Sequence, residues 1–295
     1  MSSKYVVLMY YGFPENPDGL MDYLRDIFKG KEPPEFVVKE NEKKIAMLGG
    51  TSPSIKIVRA IRDKVEDSLS RLLPDYKVVL IAKHVKPSIN EAKEMIGNPE
   101  ISVEVPLFPI YSSFIFSSYF GPFESSVRSE RSIRVSDLSS NKPFQQHFIN
   151  NINENFDTGD RKSLFIFTSH SVPINGYEPY PKNINDLASA ICSATGIDRP
   201  FIVYHSRGPF GKNWLGPDFE YLRSFCRRNS IENVVAVPIG FIYDHLEVLY
   251  DLDIDLKGRL AQDGVSFQRV PLPNDSEATI SSIVSSVLRN TAGNV

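Results

Sequence analysis

Six short runs of apolar, β-branched and aromatic residues are distributed along the 295-residue chain, separated by longer stretches with helical periodicity. Most of these runs are continuously apolar rather than alternating, which is typical of strands buried on both faces of a parallel sheet. The predicted strands span residues 5–10, 77–82, 101–108, 163–168, 200–204 and 233–239.

Three other segments carry apolar residues at three- and four-residue spacing and predict amphipathic helices. The clearest follows Ser52, a candidate N-cap, with Pro53 at the first helical position. Its apolar face consists of Ile57, Ile61, Val65, Leu69 and Leu72. The other two span 218–227 and 275–288. Strands alternating with helices predict an α/β fold with parallel sheets and right-handed crossovers.

The strand–helix pattern occurs twice, with a polar stretch at 136–160 between the two sets that we predict to be weakly structured. We therefore expect two Rossmann-like, doubly wound lobes, residues 1–145 and 146–274, with a cleft between them. A C-terminal helix within 275–295 is expected to pack back on the first lobe. Open α/β sheets bind ligands beyond the carboxyl ends of their strands, so residues at those ends are the first candidates for function.

Composition narrows the classes of function. The chain has 33 Lys and Arg against 36 Asp and Glu, a net charge of −3, so it lacks the basic excess expected of a nucleic-acid-binding protein. No run approaches the ~18 apolar residues of a membrane span, and no signal-peptide pattern is present, so we expect a cytoplasmic protein. The two cysteines, Cys192 and Cys226, do not form a CxxC and are expected to be thiols. Motifs for nucleotide binding and for serine hydrolases are absent.

Two groups of candidate residues follow predicted strands of the second lobe. His170 lies just beyond the fourth strand, where an imidazole serves as a general base, a metal ligand or a hydrogen-bonded structural residue. Glu247, Asp251 and Asp255 follow the sixth strand at four-residue spacing and would form a ridge on one side of a helix. Both a solvated acidic face and a row that holds or passes a divalent cation fit this ridge.

Aromatic residues form a third feature, with 13 Tyr and 19 Phe against a single Trp. The densest run, 111–123, follows the third predicted strand, and we expect it to form a cleft lip that faces a flat ligand. The alternatives are a satellite hydrophobic cluster and a weak membrane contact. Trp214 lies in a Gly- and Pro-rich loop after the fifth strand, where it either lines a pocket or pins the loop to the core.

Several of these segments resemble signature segments of the ferrochelatases, enzymes that insert Fe²⁺ into a porphyrin. The resemblance rests on TSHSVP at 168–173, WLGP at 214–217, and PIGF at 238–241 leading into DHLEVLYD at 244–251. Looser agreement occurs at YGFP (11–14), GGTSP (49–53) and PIYSSF (109–114). The segments occur in the family's order and span essentially the whole chain. The family fold, two Rossmann-like lobes with a cleft, agrees with the strand pattern.

The resemblance implies roles for individual residues. His170 matches the family's cleft histidine and Glu247 its opposing carboxylate, both implicated in metal binding and proton removal. The implied metal-binding residues are His170, Glu247, Asp251 and Asp255. The implied substrate-binding residues are Tyr11, Lys29, Lys31, Ser52, Tyr119 and Trp214.

The chain also departs from the family. Lys29, Lys31 and Lys44 stand where the family carries Arg or Arg-like positions, and Lys lacks the bidentate fork of Arg, which leaves the placement of the porphyrin propionates open. Tyr11 matches the coproporphyrin-type branch and favours coproporphyrin III over protoporphyrin IX. The family's optional C-terminal cysteine cluster is missing, so we expect no iron–sulfur cluster and no cofactor beyond the substrate Fe²⁺.

The sequence therefore predicts a ferrochelatase of haem biosynthesis. Its expected partners are a porphyrin and ferrous iron, with a haem acceptor protein as a further candidate. We expect at most weak peripheral membrane contact. One alternative is a cobalt or nickel chelatase of a sirohydrochlorin-type tetrapyrrole. Such enzymes have shorter chains and His-rich sites, whereas only His170 is identified here at a strand end. The other alternative is a porphyrin or haem carrier without catalysis.

Overall fold

The computed structural model describes residues 3–174, 178–208 and 213–292. Within these ranges eight strands form two parallel sheets, which confirms the predicted α/β class with two Rossmann-like lobes. The strands are β1 (Lys4–Tyr10), β2 (Tyr76–Ala82), β3 (Ile101–Pro106), β4 (Arg131–Arg134), β5 (Ser163–His170), β6 (Ile202–His205), β7 (Asn233–Val237) and β8 (Ser266–Arg269). The first sheet has the order β2-β1-β3-β4 and the second the order β6-β5-β7-β8.

Helices connect the strands. They are α1 (Leu20–Ile27), α2 (Glu35–Met47), α3 (Ser54–Leu72), α4 (Ala92–Ile96), α5 (Ser113–Ser126), α6 (Lys142–Asn155), α7 (Tyr180–Thr195), α8 (Phe219–Asn229), α9 (Leu246–Val248), a π-helix (Leu249–Leu256), α10 (Lys257–Gln262) and α11 (Glu277–Thr291). In the described part of the chain, none of these helices is both long and apolar enough to cross a membrane.

All six predicted strands are present, and β4 and β8 are additional. Both additional strands have four residues, lie at a sheet edge and are mostly polar, with the sequences RSIR and SFQR. A short, half-exposed edge strand carries no apolar run, so the hydrophobic pattern missed it. Strand β5 continues two residues beyond the prediction and ends at His170 itself.

The apolar face predicted for α3 is largely correct. Ile61, Val65 and Leu69 are fully buried, whereas Leu72 at the last turn is 53% exposed. The helix begins at Ser54, and the Ser52 hydroxyl accepts a hydrogen bond from the Ser54 N–H at 3.4 Å. Ser52 therefore stabilises the start of the helix, one residue further along than the pattern indicated.

The prediction of a weakly structured stretch at 136–160 is wrong, because α6 occupies most of it. Phe144, Phe148 and Ile152 recur every four residues, and all three are buried. Asn and Gln between them lower the mean hydropathy of the segment, so its apolar stripe was overlooked. Residue 145, the predicted boundary between the lobes, falls inside this helix, and the division into two domains there stays a prediction.

The largest hydrophobic cluster extends across both sheets. Helix α11 packs against α3 and α6. Polar contacts support this packing: the Asn141 amide donates to the Ser286 hydroxyl at 2.9 Å, and Lys64 pairs with Asp275 at 2.6 Å. The C-terminal helix thus joins the first sheet's helices to α6.

The aromatic run 111–123 differs from the expected lip. It forms most of α5, and Phe116, Tyr119, Phe120 and Phe123 point inward and are buried. Tyr119 and Phe123 belong to a separate hydrophobic cluster, as the satellite-cluster alternative predicted. Phe114, 50% exposed, is the ring at the start of α5 that faces outward.

Removing the Phe148 side chain tests the role of α6. Phe148→Ala is expected to lower the free energy of unfolding by about 3–5 kcal/mol, because it opens a cavity in the core beneath the helix. Asn153→Ala, on the exposed side of the same helix, is the matched control and should change it by no more than ~0.5 kcal/mol. Urea denaturation measures both, and similar effects in the two variants would contradict the inward packing of α6.

Candidate active site

The candidate site lies where the carboxyl ends of the parallel strands meet. His170 is the last residue of β5, and its Nδ1 lies against the backbone carbonyl of Ser171. Because a carbonyl only accepts, Nδ1 carries the proton and Nε2 keeps its lone pair. Nε2 lies 3.8 Å from Oε2 of Glu247. The backbone thus orients a basic nitrogen toward a carboxylate.

A close backbone approach brings Glu247 to this position. After β7, the Gly240 N–H donates to the Thr168 carbonyl at 3.1 Å. A Cβ on Gly240 would lie 1.8 Å from the Ser169 hydroxyl oxygen, so only glycine fits there. The loop after β7 therefore lies tightly against β5, and α9 at its end carries Glu247 across from His170.

The cleft changes the acid–base properties of this pair. Burial, followed by the charge of Asp251, raises the pKa of Glu247 to about 7. The Glu247 side chain keeps 37% of its surface accessible, but it lies in a cleft where protein replaces most of the surrounding solvent. Burial lowers the pKa of His170 to about 4. At neutral pH, His170 is neutral and Glu247 is close to half ionised.

Asp251 lies four residues beyond Glu247 on the π-helix and belongs to the same cluster. Its Oδ2 accepts hydrogen bonds from Nδ1 of His205 at 3.2 Å and from the Ser206 hydroxyl at 2.5 Å. Burial would raise the Asp251 pKa, but these hydrogen bonds outweigh it and hold that pKa below its usual value. Asp251 is therefore the permanently charged neighbour of Glu247.

Asp255, the third member of the predicted row, is engaged differently. Its Oδ1 accepts a hydrogen bond from Nε of Arg259 at 2.7 Å, and Arg259 also bonds to Glu220. Residues 249–256 form a π-helix rather than the predicted α-helix, an element often found at functional sites. Asp251 thus lies within electrostatic range of His170 and Glu247, while Asp255 forms part of an ion-pair network.

Tyr11 lies on the opposite wall, directly after β1. Burial and the charge of Glu247 raise the Tyr11 pKa, which reflects the short distance across the cleft. The His84 ring packs edge-on against Tyr11 at 4.7 Å between centroids. The Lys83 ammonium lies 5.4 Å from the Tyr11 ring centre and 5.5 Å from that of Tyr119. Burial lowers the Lys83 pKa to about 8.

Four residues of this site were missed by the sequence analysis. Lys83 and His84 follow β2, while His205 ends β6 beside His170 in the strand register. The strand-end rule that found His170 applied equally to them. The expectation that only His170 occupies a strand end is therefore wrong. His245, whose pKa burial lowers to about 3, comes from the loop before α9. It lies inside the DHLEVLYD segment, but the sequence analysis gave it no role.

The other predicted substrate residues lie in varied surroundings. Lys29 and Lys31 are exposed on the loop between α1 and α2. Ser52 is buried at the start of α3. Trp214 pairs with Pro173 in a β-bridge, and its ring meets Phe114 edge-on at 6.5 Å. This contact joins the loop after β6 to the first lobe.

Among the described ranges, no three His, Cys, Asp or Glu side chains converge closely enough to hold a metal ion. His170 and Glu247 are a pair, and a cation bound between them keeps its remaining coordination positions for other ligands.

Two solved chelatases share this fold. The terminal enzyme of sirohaem biosynthesis in denitrifying bacteria superposes with a TM-score of 0.56 and 13% identity, over 97% of this chain and 99% of that one. The cobalt-bound sirohydrochlorin chelatase of Bacillus subtilis subspecies spizizenii gives 0.53 and 9% identity, over 99% of this chain and 96% of that one. The fold is therefore the chelatase fold.

The sequence comparisons identify the family. The ferrochelatase family model matches residues 4–291, so the chain belongs to the ferrochelatase family. A ferrochelatase of Thermoplasma volcanium is 34% identical over 98% of this chain and 94% of its own length. A coproporphyrin III ferrochelatase of Anoxybacillus flavithermus is 29% identical over 98% of both chains.

Glu247→Gln is expected to make the protein more stable at neutral and alkaline pH. The pKa of Glu247 is about 7 in the fold against an ordinary 4.5, so the folded state holds the extra proton between these values and loses stability as pH rises through that window. Glutamine is neutral throughout and avoids this loss, on the order of 1 kcal/mol for a side chain this accessible.

Urea unfolding at about pH 4 and about pH 8 measures the effect, which should be absent at the lower pH and present at the higher. Asp255→Asn, which removes a carboxylate paired with Arg259 on the same π-helix, is the control and should not be more stable than the parent. If the free energy of unfolding of Glu247→Gln differs from that of the parent by the same amount at both pH values, the raised pKa of Glu247 would be contradicted.

Proposed function

We propose that this chain inserts Fe²⁺ into a porphyrin in the cleft between its two sheets. The observation that carries the proposal is the His170–Glu247 pair, a basic Nε2 lying 3.8 Å from a carboxylate of raised pKa. Membership of the ferrochelatase family and the names of the relatives support it.

Metal insertion releases two protons, one from each pyrrole N–H of the porphyrin. His170 is neutral near pH 7, so its Nε2 can accept a proton from a pyrrole nitrogen. Its low pKa means that it does not retain this proton. Glu247, with a pKa near ambient pH, is suited to take the proton and release it to water. We assign His170 and Glu247 the catalytic roles.

Asp251 supplies the negative charge that attracts the cation. It stays ionised and lies one turn from Glu247, so a ferrous ion approaching the pair is stabilised by both carboxylates. Ferrous iron accepts oxygen and imidazole ligands, which these residues provide. Asp255 lies further along the π-helix, and it can bind the cation only if its ion pair with Arg259 breaks.

The porphyrin is flat and apolar with carboxylates at its edge. Tyr11 and Trp214 are proposed to contact its face from the two lobes, and Tyr119 supports Tyr11 through Lys83. The exposed Lys29 and Lys31 are proposed to meet its propionates as point charges. Ser52 stays a proposed substrate-side residue, with its buried hydroxyl hydrogen-bonded to Ser54 at the start of α3.

Coproporphyrin III is the proposed porphyrin. Tyr11 faces Glu247 across the cleft, the position that marks the coproporphyrin-type branch, and relatives named for coproporphyrin III match nearly the whole chain. A cytoplasmic location, peripheral membrane contact and a haem acceptor as partner stay predictions.

Anaerobic iron insertion, followed by porphyrin absorbance, tests the catalytic assignment. His170→Ala and Glu247→Gln should each lower kcat about 10²–10⁴-fold, because each removes an acid–base group from the reacting centre. His147→Ala is the control: His147 lies on α6 and donates to the backbone carbonyl of Pro271, so its replacement should leave turnover unchanged.

The outcomes separate the alternatives. Parental turnover in both site variants would contradict the assignment of His170 and Glu247. A parent protein that binds porphyrin without any metal-dependent spectral change would be a carrier. Insertion of cobalt or nickel into a sirohydrochlorin-type tetrapyrrole, without insertion of iron into a porphyrin, would identify the other chelatase class.

The choice of porphyrin is tested by assaying coproporphyrin III and protoporphyrin IX side by side with the parent protein. We expect a higher kcat/KM for coproporphyrin III, because its four propionates offer more partners to the exposed lysines. The double variant Lys29→Ala, Lys31→Ala should show a smaller difference in kcat/KM between the two porphyrins. A higher kcat/KM for protoporphyrin IX would overturn the choice of substrate and leave the insertion reaction intact.

A further inference from the structure

His205 is a buried histidine that the proposed reaction does not use. It ends β6, and its backbone stands opposite His170 in the strand register. Its side chain is 2% exposed. Nδ1 lies 2.8 Å from the Ser206 hydroxyl and 3.2 Å from Oδ2 of Asp251. The imidazole thus reaches from the end of one sheet strand to the π-helix.

Ser206 completes the contact. Side chains of successive residues in an extended chain point to opposite faces, yet His205 and Ser206 both reach the same oxygen of Asp251. The backbone at Ser206 is left-handed, with a φ of 57°. This conformation is unfavourable for a residue with a Cβ, and it breaks the alternation that would separate the two side chains. The cost is offset by two hydrogen bonds to one carboxylate.

The surroundings of the His205 ring show which of its atoms matters. The ring stacks on Phe219 at 5.7 Å and lies 5.2 Å from Phe241, between centroids. Its Nε2 is buried and has no hydrogen-bond partner in the described residues. A phenyl ring would fill this slot without leaving a buried polar atom unsatisfied. The benefit of an imidazole here therefore comes from Nδ1 and its contact with Asp251.

We propose that His205 is a positioning residue which, with Ser206, holds the Asp251 carboxylate in place beside Glu247 to receive the incoming ferrous ion. The inference rests on the proposed iron insertion. Because Oδ2 is held by both donors, the carboxylate does not rotate freely on the π-helix. Groups that orient a metal-contacting carboxylate typically change metal affinity 10–100-fold when they are removed.

The test compares two substitutions of His205 in the full chain. His205→Phe keeps a ring in the aromatic slot and removes Nδ1, and it should raise the KM for ferrous iron about 10-fold. The kcat at saturating iron and the KM for porphyrin should each stay within about threefold of the parent. His205→Asn places an amide nitrogen near the position of Nδ1, so its KM for ferrous iron should lie close to that of the parent.

Ser206→Gly is a second variant, and unlike His205→Phe it does not require the buried slot to accept a phenyl ring. Glycine adopts positive φ readily, so this variant should fold at least as well as the parent while losing one donor to Asp251. Its iron KM should rise by a smaller factor than that of His205→Phe. His147→Phe, at the histidine on α6, controls for the general effect of replacing histidine by phenylalanine.

The outcomes are distinct. An unchanged iron KM in both His205→Phe and Ser206→Gly would overturn the positioning role. If the KM for ferrous iron rises equally in His205→Phe and His205→Asn, and kcat and the porphyrin KM also change, His205 has a packing role only. That result would also overturn the positioning role. Failure of the parent to metallate either porphyrin would refute the proposed function itself, which is measured first.

Discussion

The structure depends on the parallel alignment of strands within each sheet. Parallel strands place all their carboxyl ends at one edge, so the residue that follows each strand faces the same side. Tyr11 and His84 follow β1 and β2, and His170 and His205 end β5 and β6. The cleft chemistry is therefore assembled from four separate points of the chain by one rule of topology.

Desolvation then gives these groups their chemical character. In water, Glu247 would be a carboxylate and His170 would be partly protonated at neutral pH. In the cleft, burial moves their pKa values in opposite directions, to about 7 and about 4. The charge of Asp251 adds to the effect on Glu247 and persists because two hydrogen bonds hold it. The site thus combines a neutral base, a carboxylate that titrates near pH 7 and a fixed negative charge.

Much of this arrangement was predictable from patterns in the sequence. The apolar runs identified six of the eight described strands. The position of His170 after a strand, together with the spacing of Glu247 and Asp251, singled out residues that the fold brings to the candidate site. The failures also have physical causes. Helix α6 was overlooked because Asn and Gln surround its buried face, and the run 111–123 was assigned to a lip because aromatic content does not show which way a helix faces.

The sequence by itself determined the α/β class and the family, and it singled out His170 and Glu247 as candidates, since these follow from local apolar runs and short motifs. Only the tertiary structure decided that His205 stands beside His170 and bonds to Asp251, that Asp255 pairs with Arg259, and that Lys83 lies between two tyrosines. These contacts join residues far apart in the chain. They depend on strand register, on a left-handed backbone at Ser206 and on the exclusion of water, which no local pattern specifies.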